Sequence, residues 1–500
     1  MRTDEHIGLR RGLNLWEAVG ISVALMAPSM AANINPQGTA GSVGRAVPLA
    51  FALATVGVLL VAYTFVRLCR HYHHAGSVYG FVGATLGPRA GVVAGWALLG
   101  TYTCYGVVTS MAAGIFGADF LHRVGVWPAP PPWAGFVVGG LALAGVLALT
   151  IEPVRRGTRV LLTVEAVTVL LILAITAVVL VRLLAGTAPG GRTFTLDVFT
   201  VAPGTGMSTL FLGVVFGFLS FAGFEAAATL GEEARDPRRD IPRAILGTAV
   251  FGGVYFVVVT AVEMMGFGTD PAGVAAFVGS GSLLGDLGTR YVGPGVGTAV
   301  TLGAAVSAFG CCLACAVAAS RLLYAFGRDG VAPARTARVS PRRGTPYVAA
   351  LTVVGGMVTI VVVCAAVFRA RPFDVFTWSA TIGTLILLVA YALATVGVFR
   401  LLFLSGELRA PGWQAAIPVL ALGLLGYTLY RNVVPYPTGA AAWFPVVCAG
   451  WLLAAVGFVL ARPEVTRRAG ERLTTGEGLA PVSPASPPVP RHARRYRAPS

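Results

Sequence analysis

Long apolar runs constrain this chain more than any other feature of its sequence. A helix needs about 20 mostly apolar residues to cross a hydrocarbon core of about 30 Å, whereas a strand of a membrane barrel needs only about 10. We therefore predict an all-α polytopic membrane protein with 12 transmembrane helices. The runs are Trp16–Ile34, Val47–Leu68, Gly91–Leu121, Pro132–Ile151, Val160–Leu183, Ser208–Leu230, Ala244–Gly266, Gly297–Leu323, Tyr347–Phe368, Val375–Leu401, Gln414–Leu429 and Ala441–Ala461.

Charge supports this class and sets the orientation. Only 12% of residues are charged, against about 25% in soluble domains. The net charge of +16 comes from 37 arginines, since the chain has no lysine. Of these, 29 lie in the terminal segments and the loops on their side of the membrane, and eight lie in the opposite loops. The positive-inside rule places both termini in the cytoplasm. Arginines at helix ends face anionic lipid headgroups, so we predict a cytoplasmic (plasma) membrane protein without a nucleic-acid partner.

Two spans are predicted to be broken. In the first, Pro28 falls mid-membrane within LMAPSMAANINPQG, and proline both removes a backbone donor and clashes with the preceding turn. We expect unwinding around Ala27–Ser29, with Pro28 starting a second half-helix. The N–H groups of Ser29, Met30 and Ala31 then face the bilayer centre, which is typical of an anion site.

The sixth span carries Gly217 and Gly223 on either side of Ser220. Broken backbone at membrane depth is tolerated where it lines a cavity, and paired broken helices mark the binding sites of secondary transporters. The alternative is a set of ordinary packing glycines and a simple proline kink. If the first and sixth spans occupy equivalent positions in two halves of the chain, the fold is a repeat of five helices in which the second copy has inverted topology.

That repeat divides the chain into five segments. They are a cytoplasmic N-terminus (1–14), a first repeat with transmembrane helices 1–5 (15–205), a second repeat with helices 6–10 (206–410), two further helices (411–461) and a tail (462–500). The tail is rich in Pro, Ser and Arg, so we predict that it is disordered and cytoplasmic.

Three stretches resemble the amino acid–polyamine–organocation permeases. They are SFAGFEAAATLGEEARDPRRDIPRA (Ser220–Ala244), AGSVYGFVGATLGPRAGVVAGW (Ala75–Trp96) and SRLLYAFGRDGVAPA (Ser320–Ala334). The similarity covers about Gly12–Ala461. It implies a leucine-transporter-like fold, in which a five-plus-five inverted repeat is followed by two helices. It also implies secondary active transport of amino acids or related amines by alternating access.

The resemblance also implies which residues bind substrate. In relatives, the unwound backbone of helices one and six holds the substrate, and aromatic residues of helices three, six and eight line the pocket. Where many members have a glycine-rich break, this chain has APSMA, which resembles polyamine- and amine-importing branches. The candidates are Ala27, Pro28, Ser29, Met30, Ala31, Tyr102, Tyr105, Phe218, Ser220, Phe221, Ala222, Gly223 and Phe309.

Buried acids are the candidates for ion coupling. An ionisable residue in a membrane span is a functional hypothesis by default. We predict that Glu225 couples transport to protons or holds an amine, and that Glu165 belongs to a proton path. The alternative for both is structural pairing with a hydroxyl or a free N–H group. Glu263 is expected to be interfacial, near the outer end of helix seven.

The combined prediction is a permease that is proton-coupled or works by exchange, with H⁺ as the coupling ion and no cofactor or metal. The alternatives are a polyamine or organic-amine importer, a transporter of another small solute on the same fold and, more distantly, a membrane-embedded enzyme. The chain lacks the phosphate-binding loop G-x-x-x-x-G-K-[ST] that ATP-driven transporters use.

Overall fold

The described part of the chain folds into helices joined by turns and loops. A computed structural model describes residues 14–72, 77–152, 157–202, 205–230, 234–341, 343–405 and 410–476. Within these ranges, 11 helical segments are long and apolar enough to cross a membrane. This confirms the all-α polytopic class. One of the 11 segments, Leu15–His71, is 57 residues long, which is more than twice the length that one crossing needs.

Proline begins many of the helices, because its missing N–H is not needed in a first turn. The first seven helices are α1 (Leu15–Leu25), α2 (Pro28–Val43), α3 (Val47–His71), α4 (Val78–Leu86), α5 (Pro88–Arg123), α6 (Ala134–Ile151) and α7 (Gly157–Leu184). The others are α8 (Leu210–Phe221), α9 (Pro237–Phe267), α10 (Pro271–Val278), α11 (Leu283–Tyr291), α12 (Pro294–Arg328), α13 (Tyr347–Ala366), α14 (Pro372–Phe399), α15 (Ala416–Arg431), α16 (Trp443–Ala461) and α17 (Pro463–Gly476).

Small residues set the packing at the centre of the bundle. The long helix α5 packs against α12 and α14, while α3 packs against α9 and α2 against α8. A Cβ atom on Gly114 of α5 would overlap the carbonyl oxygen of Gly135 on α6, and one on Gly217 of α8 would overlap the side chain of Ala54 on α3. Glycine therefore allows close helix contact at both places, and Gly217 is a packing residue within α8.

The prediction of a disordered tail is wrong for its first part. Helix α17 occupies Pro463–Gly476 and packs against α4 and α5, with Ala469 and Leu473 buried. Arg472 donates to Asp329 at 3.3 Å, which fixes α17 to the end of α12. The Pro- and Ser-rich composition belongs mainly to the residues after Gly476. Residues 477–500, and 1–13 of the predicted N-terminal segment, lie outside the described part.

Candidate functional site

The first span is interrupted where the sequence predicts it. Helix α1 ends at Leu25, Ala27 has φ 46° and ψ 56°, and α2 begins at Pro28. A left-handed alanine costs about 1–2 kcal/mol, so the surrounding packing must hold this conformation. The interruption separates the carbonyl end of α1 from the N–H end of α2.

The sixth span is interrupted as well. Helix α8 ends at Phe221, Gly223 has φ 103°, and a short 3₁₀ turn occupies Ala226–Leu230. A Cβ atom on Gly223 would lie 3.1 Å from the carbonyl carbon of Leu25. The two interruptions are therefore in direct backbone contact.

The predicted anion site at the start of α2 is occupied by the protein itself. The N–H of Ser29 donates to Oε1 of Glu165 at 2.9 Å, and the N–H of Met30 donates to the hydroxyl of Ser307 at 3.3 Å. The N–H of Ala31 donates to the carbonyl of Ala27 at 2.9 Å. Because Glu165 is only 6% exposed, a protein carboxylate caps this half-helix in the bundle interior.

A cavity of about 240 Å³ lies beside the contact between the two interruptions. Five of the predicted residues line it: Tyr102, Tyr105, Ala222, Gly223 and Glu225. The other lining residues come from α1, α3, α4, α5, α12, α14 and the 3₁₀ turn. They are Leu25, Phe65, Ser77, Val78, Leu98, Thr101, Ala226, Ala228, Thr229, Cys311, Ala314, Cys315, Ala318 and Leu387.

The remaining predicted residues lie behind the cavity wall. Residues 27–31 are buried and do not line the cavity. Phe218 is also buried, and Phe221 packs edge-on against Phe256, with ring centroids 5.4 Å apart. The hydroxyl of Ser220 accepts from Asn35 and donates to the Phe216 carbonyl.

Phe309 faces α6 instead of the cavity. A Cβ atom on Gly145 of α6 would lie 3.3 Å from the Phe309 ring. Cys311 and Cys315 of α12 line the cavity, and residues two positions apart do not share a helix face. Phe309 therefore belongs to the contact between α12 and α6.

Glu225 places a carboxylate on the cavity wall. Its Oε1 accepts from the hydroxyl of Tyr391 at 2.8 Å, while its buried Oε2 has no partner. Tyr391 also contacts Phe65 edge-on, with ring centroids 5.7 Å apart. Sequence reasoning missed Tyr391, because nothing in the α14 sequence distinguishes it from other aromatic residues of the spans.

The cavity extends toward the side that carries most of the arginines. Its wall includes Ser77 and Val78, at the start of α4, and the exposed Thr229 at the end of the 3₁₀ turn. Both places adjoin loops that the positive-inside rule assigns to the cytoplasm. The cavity wall therefore reaches the ends of α4 and of the 3₁₀ turn that adjoin these arginine-rich loops.

At the C-terminal end of α5, Arg123 holds a partly buried ion-pair cluster that the sequence did not reveal. Its guanidinium contacts Asp119 of the same helix at 2.6 Å and Asp286 of α11 at 2.5 Å. The side chains of Arg123 and Asp119 are 12% and 17% exposed. The cluster fastens α11 to the outer end of α5.

Helix α11 is also fastened to α2. The side-chain oxygen of Asn33 accepts from the hydroxyl of Ser282 at 2.8 Å and from the N–H of Leu284 at 3.0 Å. Gln37, one turn further along α2, donates to the carbonyl of Ser280 at 2.6 Å. The segment before and within α11 is thus held over the outer half of the broken first span.

Replacing Arg123 with glutamine is expected to weaken the contact between α5 and α11 and to destabilise the protein. Removing one partner of a fully buried ion pair costs about 3–5 kcal/mol and an exposed pair contributes about 0–1 kcal/mol, so the cost for the partly buried Arg123 cluster should lie between these limits. The matched control is Arg192→Gln, since Arg192 pairs with Asp270 at 3.1 Å near the surface. Arg123→Gln should lower the melting temperature of the purified protein well below that of the control. Equal melting temperatures would show that the Arg123 cluster stabilises the protein no more than the exposed Arg192–Asp270 pair does.

The carboxylate of the control pair, Asp270, is kept ionised by its neighbours. The N–H of Gly273 and then the guanidinium of Arg192 hold the pKa of Asp270 below its ordinary value. Asp270 lies just before α10 and its side chain is 52% exposed. It therefore stays ionised throughout the neutral range, so Arg192→Gln removes an existing ion pair and is a fair control for Arg123→Gln.

The position of Glu263 corrects the sequence prediction. Its side chain is 0% exposed, not interfacial, and neither carboxylate oxygen has a hydrogen-bond partner. Helices α2, α7, α10 and α11 pack around α9. These packed elements cover a position that the linear sequence places near a helix end.

Comparison with known proteins identifies the family. The model of the family described as "Amino acid permease" matches residues 24–466. The chain belongs to the amino acid permease family. It is thus a member of the amino acid–polyamine–organocation superfamily, as its motifs predict, and this permease is a multi-pass integral protein of the plasma membrane.

Similar proteins are transporters. An uncharacterized transporter of Mycobacterium tuberculosis is 30% identical over 92% of this chain and 93% of its own length. The low-affinity putrescine importer PlaP of Escherichia coli is 26% identical, covering 79% and 82% of the two chains. The branched-chain amino acid permease BcaP of Lactococcus lactis is 26% identical, covering 77% and 81%.

Among solved structures, the permease resembles a manganese transporter of Eremococcus coleocola. The TM-score is 0.51 at 13% identity, over 93% of this chain and 98% of the other. At this identity the likeness concerns the fold alone. Within the part of the permease that the structure describes, no group of three or more His, Cys, Asp or Glu side chains is placed to hold a metal ion.

Proposed function

We propose that this permease moves amino acids or related amines across the plasma membrane as a secondary active transporter, by alternating access. The observation that carries the proposal is the cavity at the contact of two interrupted helices, with the unpartnered Oε2 of Glu225 on its wall. Interrupted helices at membrane depth supply backbone polar groups to a transported solute. The names of the relatives, which include a putrescine importer and an amino acid permease, agree with this substrate range.

The arrangement of helices supports the inverted-repeat organisation that belongs to this proposal. A short helix, a Gly-Pro pair and a long helix follow each other at α4, Gly87-Pro88 and α5. The same order recurs at α11, Gly293-Pro294 and α12. With α1 and α2 counted as one interrupted crossing and α3 as the next, Leu15–His71 supplies two crossings and the total is 12.

We also propose that transport is coupled to protons through Glu165. The carboxylate of Glu165 accepts a hydrogen bond from the N–H of Ser29. Such a bond stabilises a protein by about 1.5–3 kcal/mol when the acceptor is charged and by about 1 kcal/mol when both groups are neutral. Protonation therefore weakens the link between α7 and the start of α2. A proton on Glu165 can thus release the half-helix that must move when the outer side opens.

The test is uptake into proteoliposomes with and without an inward proton gradient. We expect the gradient to accelerate uptake of amines or amino acids by the wild type. In Glu165→Gln the amide oxygen still accepts from Ser29 but cannot titrate, so this acceleration should disappear while exchange between internal and external substrate persists. A full gradient response in Glu165→Gln would remove Glu165 from the coupling mechanism. Absence of uptake of any amine or amino acid would contradict the transport proposal itself.

A further inference from the structure

The cavity wall carries one acidic side chain and, among its described lining residues, no basic one. Among its described lining residues, Glu225 is the only Asp, Glu, Lys, Arg or His. Its Oε2 is buried and unpartnered, and a desolvated carboxylate requires a cation or a hydrogen-bond donor. An ammonium group in the cavity satisfies this requirement.

Two helix ends add to the negative potential. Helices α1 and α8 both finish at the interruptions, where Leu25 and Gly223 lie in contact. The C-terminal end of a helix carries a partial negative charge of about half an elementary charge. Both helices therefore end beside the cavity, where Leu25 and Gly223 form part of its wall.

The position that could receive a carboxylate is already filled. In the part of the chain that the structure describes, α2 is the only long half-helix that begins at these interruptions. Its first N–H groups donate to Glu165, Ser307 and the Ala27 carbonyl. None of residues 27–31 lines the cavity. A substrate carboxylate would therefore lie near Glu225 with no cationic side chain on the wall to receive it. The helix start on the wall, at Ser77 and Val78 of α4, is already capped, because the Ser77 hydroxyl accepts from the N–H of Gly80.

The rest of the cavity wall suits a substrate whose body is apolar. Phe65, Tyr102 and Tyr105 present aromatic rings, and Leu98 and Leu387 add aliphatic surface. Aromatic faces also attract an ammonium group through their quadrupole. The volume of about 240 Å³ restricts the ligand to a small molecule.

We infer that the substrate is a small primary amine with an apolar or aromatic body and no free carboxylate. This inference rests on the transport function proposed above and specifies the substrate of the same site. Glu225 receives the ammonium group. Glu165 and Ser307 exclude amino acids by occupying the N–H groups of Ser29 and Met30, to which a carboxylate would bind.

The test compares pairs of compounds that differ only in the carboxylate. The pairs are 2-phenylethylamine with phenylalanine and 3-methylbutylamine with leucine, measured by thermal stabilisation of the purified full-length protein and by competition for uptake. A ligand of the folded state raises the melting temperature with its affinity. We expect each amine to bind roughly tenfold or more tightly than its amino acid, because the site leaves a carboxylate unpaired.

Phenylalanine methyl ester and leucine methyl ester are the matched controls for size. Each keeps a substituent at the carboxyl position but removes its charge, so both should bind close to the amines. If the esters bind as weakly as the amino acids, the selection is steric and the electrostatic inference is overturned. If the amino acids bind as well as the amines, the inference is overturned while the transport function stands. If none of the six compounds binds or competes, the proposed function fails as well.

Discussion

Replacing Glu225 with glutamine is expected to weaken substrate binding by about 10- to 100-fold. This range corresponds to the loss of about 1.5–3 kcal/mol for a hydrogen bond to a charged group. The fold should survive, because the amide oxygen of glutamine still accepts from the hydroxyl of Tyr391, which now donates at 2.8 Å to Oε1. The measurement is the concentration of amine or amino acid that gives half-maximal uptake and half-maximal thermal stabilisation.

Two further variants test whether a loss of affinity in Glu225→Gln comes from the loss of this particular carboxylate. Tyr391→Phe removes a hydrogen-bond donor but keeps the carboxylate, so its effect on affinity should be smaller. Glu152→Gln removes a carboxylate whose pair with Arg343 is about half exposed, with side-chain exposures of 49% and 47%, and it should leave affinity unchanged. Wild-type affinity in Glu225→Gln would show that the carboxylate does not bind substrate.

The same variant separates the two roles predicted for Glu225. If the carboxylate holds the ammonium group, binding is weakened with or without a proton gradient. If it only carries the coupling proton, equilibrium binding and exchange stay intact and only gradient-driven uptake is lost. The unpartnered Oε2 on the cavity wall favours the first result.

The interruptions and the membrane class were predictable because their causes are local. Runs of about 20 apolar residues specify membrane helices through their length alone. Pro28 and Gly223 act on their own backbone, by removing a donor or by permitting a positive φ. Each of these features can be recognised from a single short stretch of the sequence.

The partners across the site were not predictable, because they depend on packing between distant helices. Ser29 and its acceptor Glu165 are 136 positions apart, and Arg123 and Asp286 are 163 apart. The sequence identified Glu165 as a buried acid but not as the cap of α2, which turns an anticipated anion site into an occupied one. The position of Phe309 was not predictable for a related reason. The contacts of α12 with α5 and α6 decide which face of α12 lies toward the cavity, and Phe309 is on another face.

Replacing Gly223 with alanine is expected to abolish uptake and lower thermal stability. A side chain at φ 103° is strained, and backbone conformations of this kind cost about 1–3 kcal/mol. The new Cβ would also lie 3.1 Å from the carbonyl carbon of Leu25 and 3.2 Å from its oxygen. Because both atoms belong to the backbone, the contact can be relieved only by separating the two interrupted helices.

Gly140→Ala is the control for a general glycine effect. Gly140 lies within α6, and a Cβ atom there meets nothing within 4 Å. Alanine is favoured over glycine in a helix by about 0.5–1 kcal/mol, so this variant should melt at or slightly above the wild-type temperature and transport normally. If Gly223→Ala behaved in the same way, the close contact between Leu25 and Gly223 would not be needed for transport. If Gly223→Ala retains the wild-type size-exclusion profile yet neither binds nor transports amines, the loss is local to the cavity, where the two helix ends meet.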